Sequence, residues 1–323
     1  MQAVFKIYGD IFTKGMKFLR KNSEFLTKIE QVIPPERLLL DEPLANHTTF
    51  CIGGPADYFV LPETTAEVTA VFKLAKLYDI PVTVLGNGSN VLVLDNGIRG
   101  LVLKFGEQMS RLSHAGNRVA AGAGALLRDV SRYAAEQGLS GMEFAIGIPG
   151  SIGGAVFMNA GAYEGEMSHI VTAVTAVCPD GAVKRFTKPE LKFSYRHSVF
   201  QENHCTICEV ELMFQNGEQN LIRSRMGDYT TKREIKQPLE VPSAGSTFKR
   251  PPGHFAGTLI EQTGLKGLTI GGAQVSPKHA GFIINAGGAT AKDVLNLIKE
   301  VQRRVYRQHG VMLYPEVRTL GEQ

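Results

Sequence analysis

Two glycine-rich stretches carry the residues best suited to holding a ligand. The shorter is Gly86-Asn-Gly-Ser-Asn90, and the longer runs from Gly147 to Tyr163 with five glycines. Glycine permits positive φ and close approach of the backbone, so the longer stretch suits contact with a flat or bulky group. Successive backbone amides in a turn like the shorter stretch can bind a pyrophosphate. Because one chain contains both, we interpret the longer stretch as part of a ligand site.

Both stretches also have a plainer explanation as turns. Asn87-Gly88 is the favoured dipeptide of a hairpin turn, and the longer stretch could be a Gly-rich turn between two strands. The shorter loop lacks the third glycine of a Rossmann fingerprint and the Lys-Ser or Lys-Thr of a P-loop. The uncharged run 144–163 has the length of a membrane span, but Pro149 and the glycines make it a poor helix. Spacing alone leaves the ligand and turn interpretations open.

Three further segments combine side chains that could react or bind. Ser194-Tyr-Arg-His-Ser198 places an aromatic ring, a guanidinium and a hydroxyl just before a predicted strand. The loop 242–253 carries hydroxyls and the cations Lys249 and Arg250. Cys205-Thr-Ile-Cys208 invites a metal or redox interpretation, but no second cysteine pair exists to complete four zinc ligands. Because it lies in an alternating strand, we expect core packing there and no metal site.

The shorter glycine stretch is predicted to follow a strand, and the longer one is predicted to follow a helix. A helix that begins at Thr64 or Thr65 and ends near Tyr78 separates strands 58–61 and 81–85. This β-α-β unit leads directly into the shorter loop, which continues as another strand. A second helix is predicted over 125–137, ended by Gly138, before the longer stretch.

The last part of the chain changes composition. Residues 215–236 are polar and predict a solvated linker helix, and the composition shifts at Gln237-Pro238. Thr290-Ala-Lys-Asp293 is a capping box that begins the clearest helix, which Gly310 ends. The apolar stripe of this helix is Val294, Ile298, Val301 and Val305.

Composition sets broad limits on the class of protein. The chain has 323 residues, 43% hydrophobic and 20% charged, which suits two or three soluble domains. A formal charge of +4 is too small to imply nucleic acid and fits anionic small ligands equally well. Four scattered cysteines do not make a disulfide framework, so we expect a reducing, cytoplasmic setting. Residues 1–32 lack an apolar core of signal-peptide length and predict a surface helix or a poorly ordered extension.

Taken in order, six segments resemble the UDP-N-acetylenolpyruvoylglucosamine reductases, flavoenzymes of peptidoglycan precursor synthesis. The likeness runs from about Asn46 to Leu320, and each motif is weak alone, whereas six in the correct order are a strong signal. The segments are Thr49–Ala56, Gly86–Asn90, Gly147–Ala155 with Asn159–Gly161, Ser194–Ser198, Ala244–Pro252 and Pro315–Arg318.

The resemblance implies an α+β fold. It consists of a two-part FAD-binding region of the vanillyl-alcohol-oxidase (PCMH) type and a C-terminal α/β substrate-binding domain. The predicted divisions are an extension or helix at 1–32, FAD-binding subdomains at 33–105 and 106–236, and a substrate domain at 237–323 whose tail returns to the active site. The implied reaction transfers hydride from NADPH to FAD, and then to the enolpyruvyl group of a UDP-sugar, giving UDP-N-acetylmuramate. We expect a monomer with neither a nucleic-acid partner nor a membrane span.

The resemblance also implies roles for particular residues. Ser246 is the proton donor, and Arg196 and Glu316 stabilise the intermediate. The chemistry of the reaction supports these residue types. A fixed guanidinium offsets the charge that develops on the enol ether carboxylate, and a positioned hydroxyl can donate the final proton. The residues expected to hold FAD are Gly86, Asn87, Gly88, Ser89, Asn90, Gly147, Ile148, Pro149, Gly150, Ser151, Gly153, Gly154, Asn159 and Ala160.

Further expectations concern the substrate and the cofactor linkage. Tyr195, Lys249 and Arg250 are candidates to hold the diphosphate and sugar of the substrate. The family's longer form carries an asparagine at the place of Arg250 and an extra tyrosine-bearing loop, so this chain resembles the shorter form. No His or Cys stands where flavin-linking relatives carry one, so we expect non-covalent FAD. If the loop around Ser246 is extended, Ser246 and Thr247 should not both face the flavin.

Overall fold

The N-terminal helix of the described structure packs into the core. The computed structural model describes residues 23–322, so residues 1–22 of the predicted extension lie outside the described residues. Helix α1 covers residues 23–29. Its Phe25 and Ile29 are fully buried, and the Phe25 ring lies 5.1 Å from that of Tyr58. The residues immediately before the first strand are therefore part of the packed protein.

The first sheet contains the predicted β-α-β unit. Its elements are β1 (Leu38–Pro43), β2 (Pro55–Val60), α2 (Thr65–Tyr78), β3 (Val82–Leu85) and β5 (Ile98–Lys104), with β4 (Val91–Val93) outside the sheet. The strand order is β1-β2-β5-β3, and β5 is parallel to both neighbours. Helix α2 begins as predicted, because the Thr64 side chain accepts a hydrogen bond from the N–H of Glu67 at 3.1 Å. Residues 86–90 connect β3 to β4 at the edge of this unit.

A five-stranded antiparallel sheet forms the middle of the chain. Its strands lie in the order β12-β11-β13-β7-β6. The predicted helix over 125–137 is α3, and the predicted linker helix is α7, whose Ile222 and Met226 are buried beside Ala135. The elements are β6 (Leu112–Ala115), β7 (Arg118–Gly122), α3 (Leu127–Glu136), β8 (Leu139–Ser140), α4 (Ile152–Met158), β9 (Gly161–Ala162), β10 (Gly165–Glu166), α5 (Met167–Ile170), β11 (Val171–Val177), β12 (Val183–Thr187), α6 (Phe200–Asn203), β13 (Thr206–Met213), β14 (Gln215–Asn216) and α7 (Gln219–Lys236).

The third sheet and the C-terminal tail complete the fold. The elements are β15 (Ser243–Ser246), α8 (Ala256–Gln262), β16 (Thr269–Ile270), β17 (Ala273–Val275), β18 (Phe282–Asn285), α9 (Ala291–His309) and β19 (Arg318–Leu320). The antiparallel order is β15-β18-β17-β16, and α9 buries the predicted stripe. Helix α9 has the predicted capping box and ends at Gly310 in the left-handed conformation. Strand β19 leaves this sheet and pairs in parallel with β4, which brings the tail beside loop 86–90.

Mixed helices and strands with mainly antiparallel pairing confirm the α+β class. The domain divisions stay a prediction. Within residues 23–322, no helix is both long and apolar enough to cross a bilayer.

The longer glycine stretch was predicted to be a poor helix because of Pro149 and its glycines. This prediction is wrong for part of the stretch, which is helical. Helix α4 occupies seven residues of the stretch, Ile152–Met158. Ser151 caps the helix by accepting a hydrogen bond from the N–H of Gly154 at 3.3 Å, and Asn159 ends it with φ +43°. Two glycines lower helix propensity, but tertiary packing overrides that cost because Ile152, Ala155 and Val156 are buried in the core.

Cys205 and Cys208 are both buried in the core, as predicted, but the sequence did not predict a disulfide. Cys208 is buried and free, and burial raises its pKa to about 12. Cys205, however, forms a disulfide with Cys178. Strands β11 and β13 pair Val177 with Thr206, so the two cysteines lie opposite each other just beyond that pair. Sequence spacing could not reveal this pairing because it depends on the register of the two strands.

Candidate active site

A cavity of about 850 Å³ opens between the three sheets. This volume is within the range of pockets that bind cofactors and drug-sized ligands. Its walls come from the loop 86–90, the stretch 148–162, the start of β13, the segment 237–246 and the tail. The two glycine stretches and the two polar segments that the sequence singled out therefore meet in one place.

The loop 86–90 offers backbone donors to the cavity. All five of its residues line the cavity wall. Among the described residues, no backbone or side-chain group accepts a hydrogen bond from the amides of residues 87–90. Successive backbone N–H groups in a turn can bind one anion together, so this loop has the chemistry of an anion site. The Asn87 side chain donates to the carbonyl oxygen of Pro149 at 2.7 Å and ties the two glycine stretches together.

Gly88 is required for a reason that the sequence did not reveal. It has φ +65°, and a Cβ there would lie 2.2 Å from the carbonyl oxygen of His47 and 2.7 Å from Cα of Thr48. A side chain at Gly88 would therefore strike the neighbouring backbone segment.

The longer stretch presents glycines directly to the cavity. Gly150, Gly153 and Gly154 all line it. Among residues 23–322, a Cβ on Gly154 would approach only Ser151 Oγ, at 3.3 Å, so a larger side chain there would extend into the cavity. Gly147 and Asn159 do not line the cavity. A Cβ on Gly147 would meet Arg233 Cδ at 2.6 Å, and the Asn159 side chain accepts from the N–H of Ser168.

Arg196 and Glu316 form an ion pair at the cavity, although 120 positions separate them in sequence. Arg196 Nε donates to Glu316 Oε1 at 2.7 Å, and the side chains are 26% and 11% exposed. Glu316 reaches this position because its N–H donates to the carbonyl oxygen of Thr247 at 2.8 Å and Pro315 pairs with Phe248. The tail is thus held along the segment that carries Ser246.

Ser246 and Thr247 point in different directions, as the alternation of an extended loop predicts. Ser246 is exposed and lines the cavity. Thr247 is 5% exposed, and its Oγ1 accepts from the N–H of Ile283 at 3.0 Å. The ladder is irregular between Ser243 and Ser246, with Gly245 at φ +72°. Such bulges redirect side chains, and here the hydroxyl of Ser246 faces the same space as Arg196.

The predicted substrate residues lie together but outside the cavity wall. Tyr195 Oη is 3.5 Å from the backbone N–H of Arg250, which donates to it. The Arg250 guanidinium stacks over the Phe255 ring at 4.1 Å from its centre. Lys249 is exposed and is anchored through its N–H to the carbonyl oxygen of Tyr314. These side chains form a cationic and aromatic patch. In sequence, Tyr195 precedes Arg196, and Lys249 and Arg250 closely follow Ser246.

Sequence reasoning missed two cations of the cavity, Arg233 and Arg318. Arg233 belongs to helix α7, which we predicted to be a solvated linker, but its Nε donates to Gln237 Oε1 at 2.7 Å. Burial lowers the pKa of the Arg233 guanidinium. Among the described residues no carboxylate lies within ion-pair distance of it. The sequence feature that could have indicated a site role for Arg233 is its position one helical turn before the change of composition at Gln237-Pro238. Within residues 23–322, no cluster of His, Cys, Asp and Glu is arranged to hold a metal.

Comparison with known proteins decides the family. Residues 56–187 match a family described as FAD binding domain, and residues 237–320 match the C-terminal domain of UDP-N-acetylenolpyruvoylglucosamine reductase. The UDP-N-acetylenolpyruvoylglucosamine reductase of Clostridium perfringens strain SM101 is 49% identical over 298 residues, covering 92% of this chain and 98% of that protein. This chain belongs to the UDP-N-acetylenolpyruvoylglucosamine reductase family. The relative from Clostridium botulinum strain Alaska E43 is 47% identical over 304 residues, covering 94% of this chain and all of that protein.

Solved structures agree with the membership in this reductase family. The UDP-N-acetylenolpyruvylglucosamine reductase from Thermus caldophilus has a TM-score of 0.75 at 38% identity, covering 88% of this chain and 98% of that chain. p-Cresol methylhydroxylase with substrate bound has a TM-score of 0.56 at 11% identity, covering 90% of this chain and 88% of that chain. At so low an identity the likeness concerns the fold alone. Together with the matched FAD binding domain and the reductase structure, it confirms the predicted PCMH-type architecture.

The cavity fits the FAD that the matched FAD-binding domain implies. The amides of residues 87–90 can bind phosphate oxygens, and the Arg233 guanidinium, which has no carboxylate partner among residues 23–322, suits an anionic ligand. Glycine at positions 150, 153 and 154 brings the backbone of the adjoining wall close to the cavity, which suits contact with a flat ring system.

Gly154→Val is expected to remove FAD without unfolding the protein. The valine would project into the cavity, whereas Gly88→Val would strike the backbone and could unfold the loop. Gly227→Val is the control, since Gly227 is another helical glycine and a Cβ there would meet no atom of the described residues within 4 Å. We predict that the Gly154 variant purifies pale with a native circular dichroism spectrum, while the control keeps its flavin. Full flavin content in Gly154→Val would contradict this placement of FAD.

Proposed function

We propose that this chain is an FAD-containing, NADPH-dependent UDP-N-acetylmuramate dehydrogenase. It reduces UDP-N-acetyl-3-O-(1-carboxyvinyl)-glucosamine to UDP-N-acetylmuramate in peptidoglycan precursor synthesis. One observation supports the proposal most directly. The Arg196–Glu316 ion pair and Ser246 line the same cavity as the two glycine-rich stretches. Non-covalent FAD bound along those walls supplies hydride transfer from NADPH to the enolpyruvyl carbon.

Arg196 binds the substrate carboxylate in this proposal. Adding hydride to an enol ether carboxylate places negative charge on that carboxylate. A guanidinium already fixed at the site stabilises this charge without reorganising during the reaction. Glu316 fixes the guanidinium through the 2.7 Å contact to Nε. No group among residues 23–322 accepts a hydrogen bond from the terminal nitrogens of Arg196, so these can face the substrate.

Ser246 donates the proton that completes the reduction. Its hydroxyl is neutral. Of the two neighbouring hydroxyl residues, Ser246 lines the cavity, whereas Thr247 is buried away from it. A hydroxyl can act as a general acid when neighbouring charges compensate the alkoxide that remains. Arg196 lies in the same cavity and supplies positive charge.

The patch of Tyr195, Lys249 and Arg250 binds the nucleotide end of the substrate. All three are exposed, and each is adjacent in sequence to a cavity residue or to the segment that carries Ser246. Two cations suit a diphosphate, and exposed aromatic rings suit a sugar or a base. We propose further that the protein acts as a cytoplasmic monomer without nucleic-acid partners.

An absorption spectrum with two anaerobic additions tests the function. The purified protein should show an oxidised flavin spectrum that NADPH bleaches and that the enolpyruvyl UDP-sugar restores. A flavin oxidase of alcohols or sugars would instead be reduced by a sugar donor and restored only by oxygen. A non-catalytic nucleotide-binding module would be colourless, or would carry a flavin that NADPH does not bleach.

A further inference from the structure

Arg196 occupies a backbone position that residues other than glycine and asparagine rarely take. Ser194 and His197 exchange two backbone hydrogen bonds of 3.2 and 3.1 Å, so Tyr195 and Arg196 form a two-residue connection. Arg196 has φ +56° at the third position of this turn, where glycine or asparagine is usual. Such conformations persist where surrounding contacts hold them, and they cluster at functional sites.

Gln201, in the short helix α6, supplies such contacts. Its side-chain Nε2 donates to the carbonyl oxygens of Arg196 and of Phe157, each at 2.9 Å. Its Oε1 accepts from Nη1 of Arg318 at 3.4 Å. Phe157 belongs to α4 and Arg318 to β19, and the Arg318 guanidinium lies 4.9 Å from the centre of the Phe157 ring. One side-chain amide thus joins three walls of the cavity.

A neutral amide suits all three contacts at once. Glutamate could accept from Arg318, but it has no donor for the two carbonyl oxygens. Lysine could donate to the carbonyl oxygens, but it would place a second cation beside Arg318. Methionine has a similar length and makes none of these hydrogen bonds. Substitutions at Gln201 can therefore remove the donors and the acceptor separately.

We propose that Gln201 is a positioning residue for the reduction of the enolpyruvyl group. It fixes the left-handed turn at Arg196, and so directs the guanidinium towards Glu316 and the substrate carboxylate. Gln201 is absent from the cavity wall, so it acts through Arg196 and does not touch the substrate. The inference rests on the proposed function of Arg196. A shift of about 1 Å in such a group can slow a reaction by roughly a hundredfold.

The test measures the two half-reactions of Gln201 variants separately, together with FAD binding to the apoprotein. In Gln201→Met, NADPH should bleach the flavin at near-normal speed, whereas the enolpyruvyl substrate should restore it about ten to a hundred times more slowly. The Kd for FAD should stay close to that of the wild type. Gln201→Glu should be as slow as Gln201→Met, because both lose the two donors. Gln201→Lys keeps the donors and should recover part of the rate.

Gln219→Met is the matched control, since the Gln219 side chain also donates to a backbone carbonyl, that of Glu136, outside the cavity. It should leave both half-reactions unchanged. Normal reoxidation of Gln201→Met would overturn the inference, as would weaker FAD binding with a normal rate per bound flavin. Gln201→Glu gives the same comparison if Gln201→Met does not fold. A wild-type flavin that the substrate fails to reoxidise would instead refute the proposed function itself, and the inference with it.

Discussion

Ser246→Ala should slow the reduction of the enolpyruvyl substrate by about a hundredfold or more, the usual effect of losing a positioned general acid. Reduction of the flavin by NADPH should stay near normal, because that step takes no proton from Ser246. Stopped-flow absorbance of the two half-reactions separates the effects. The expected asymmetry follows from the position of Ser246, whose hydroxyl faces the cavity that contains Arg196 and Glu316.

Thr247→Val is the matched control for this prediction. The Thr247 hydroxyl is buried against the N–H of Ile283 at 3.0 Å and does not line the cavity. Valine would leave that buried donor without an acceptor, at a cost of about 1–3 kcal/mol in the free energy of unfolding. We expect lower thermal stability with little change in either rate. Normal reoxidation of Ser246→Ala and slow reoxidation of Thr247→Val would show that the wrong hydroxyl has been chosen.

Glu316→Gln should lower turnover by about a hundredfold while the flavin content stays normal. Its carboxylate fixes the Arg196 guanidinium at 2.7 Å, and a neutral amide would hold it more weakly. A displaced guanidinium no longer meets the charge that develops on the substrate carboxylate. The loss should appear in the reoxidation step and leave reduction by NADPH almost unchanged.

Glu300→Gln is the control for the loss of a carboxylate–guanidinium pair. Glu300 contacts Arg303 and Arg304 on the outer face of α9, and none of the three lines the cavity. This variant should react like the wild type, because exposed ion pairs contribute little to stability. If Glu316→Gln turns over at the wild-type rate, the ion pair has no part in the reaction. If it loses its flavin, Glu316 acts on cofactor binding instead.

Local rules in the sequence predicted the elements that begin and end with clear capping residues. Thr64 and the capping box at Thr290 begin α2 and α9, and Gly310 ends α9, as predicted. The joining of Arg196 and Glu316 came from family resemblance. No local pattern indicates that residue 316 pairs beside Thr247 and Phe248, since this placement depends on long-range strand pairing.

The features that the sequence did not predict depend on tertiary contacts. Helix α4 forms because the core buries one of its faces, although its glycines disfavour a helix. Cys178 meets Cys205 only through the register of β11 against β13. Arg233 lies in the helix that the sequence predicted to be a solvated linker, but the fold places it against Gly147 at the cavity.

The proposed function requires a flavin bound in this cavity to accept hydride from NADPH and to pass it to an enolpyruvyl UDP-sugar. The most direct measurement is an anaerobic single turnover. The enzyme is reduced with one equivalent of NADPH per flavin, freed of the nicotinamide product, and mixed with the enolpyruvyl substrate. The oxidised flavin spectrum should return, and UDP-N-acetylmuramate should form in an amount equal to the flavin. A flavin that stays reduced until oxygen is admitted, with the substrate recovered unchanged, would contradict the proposed function.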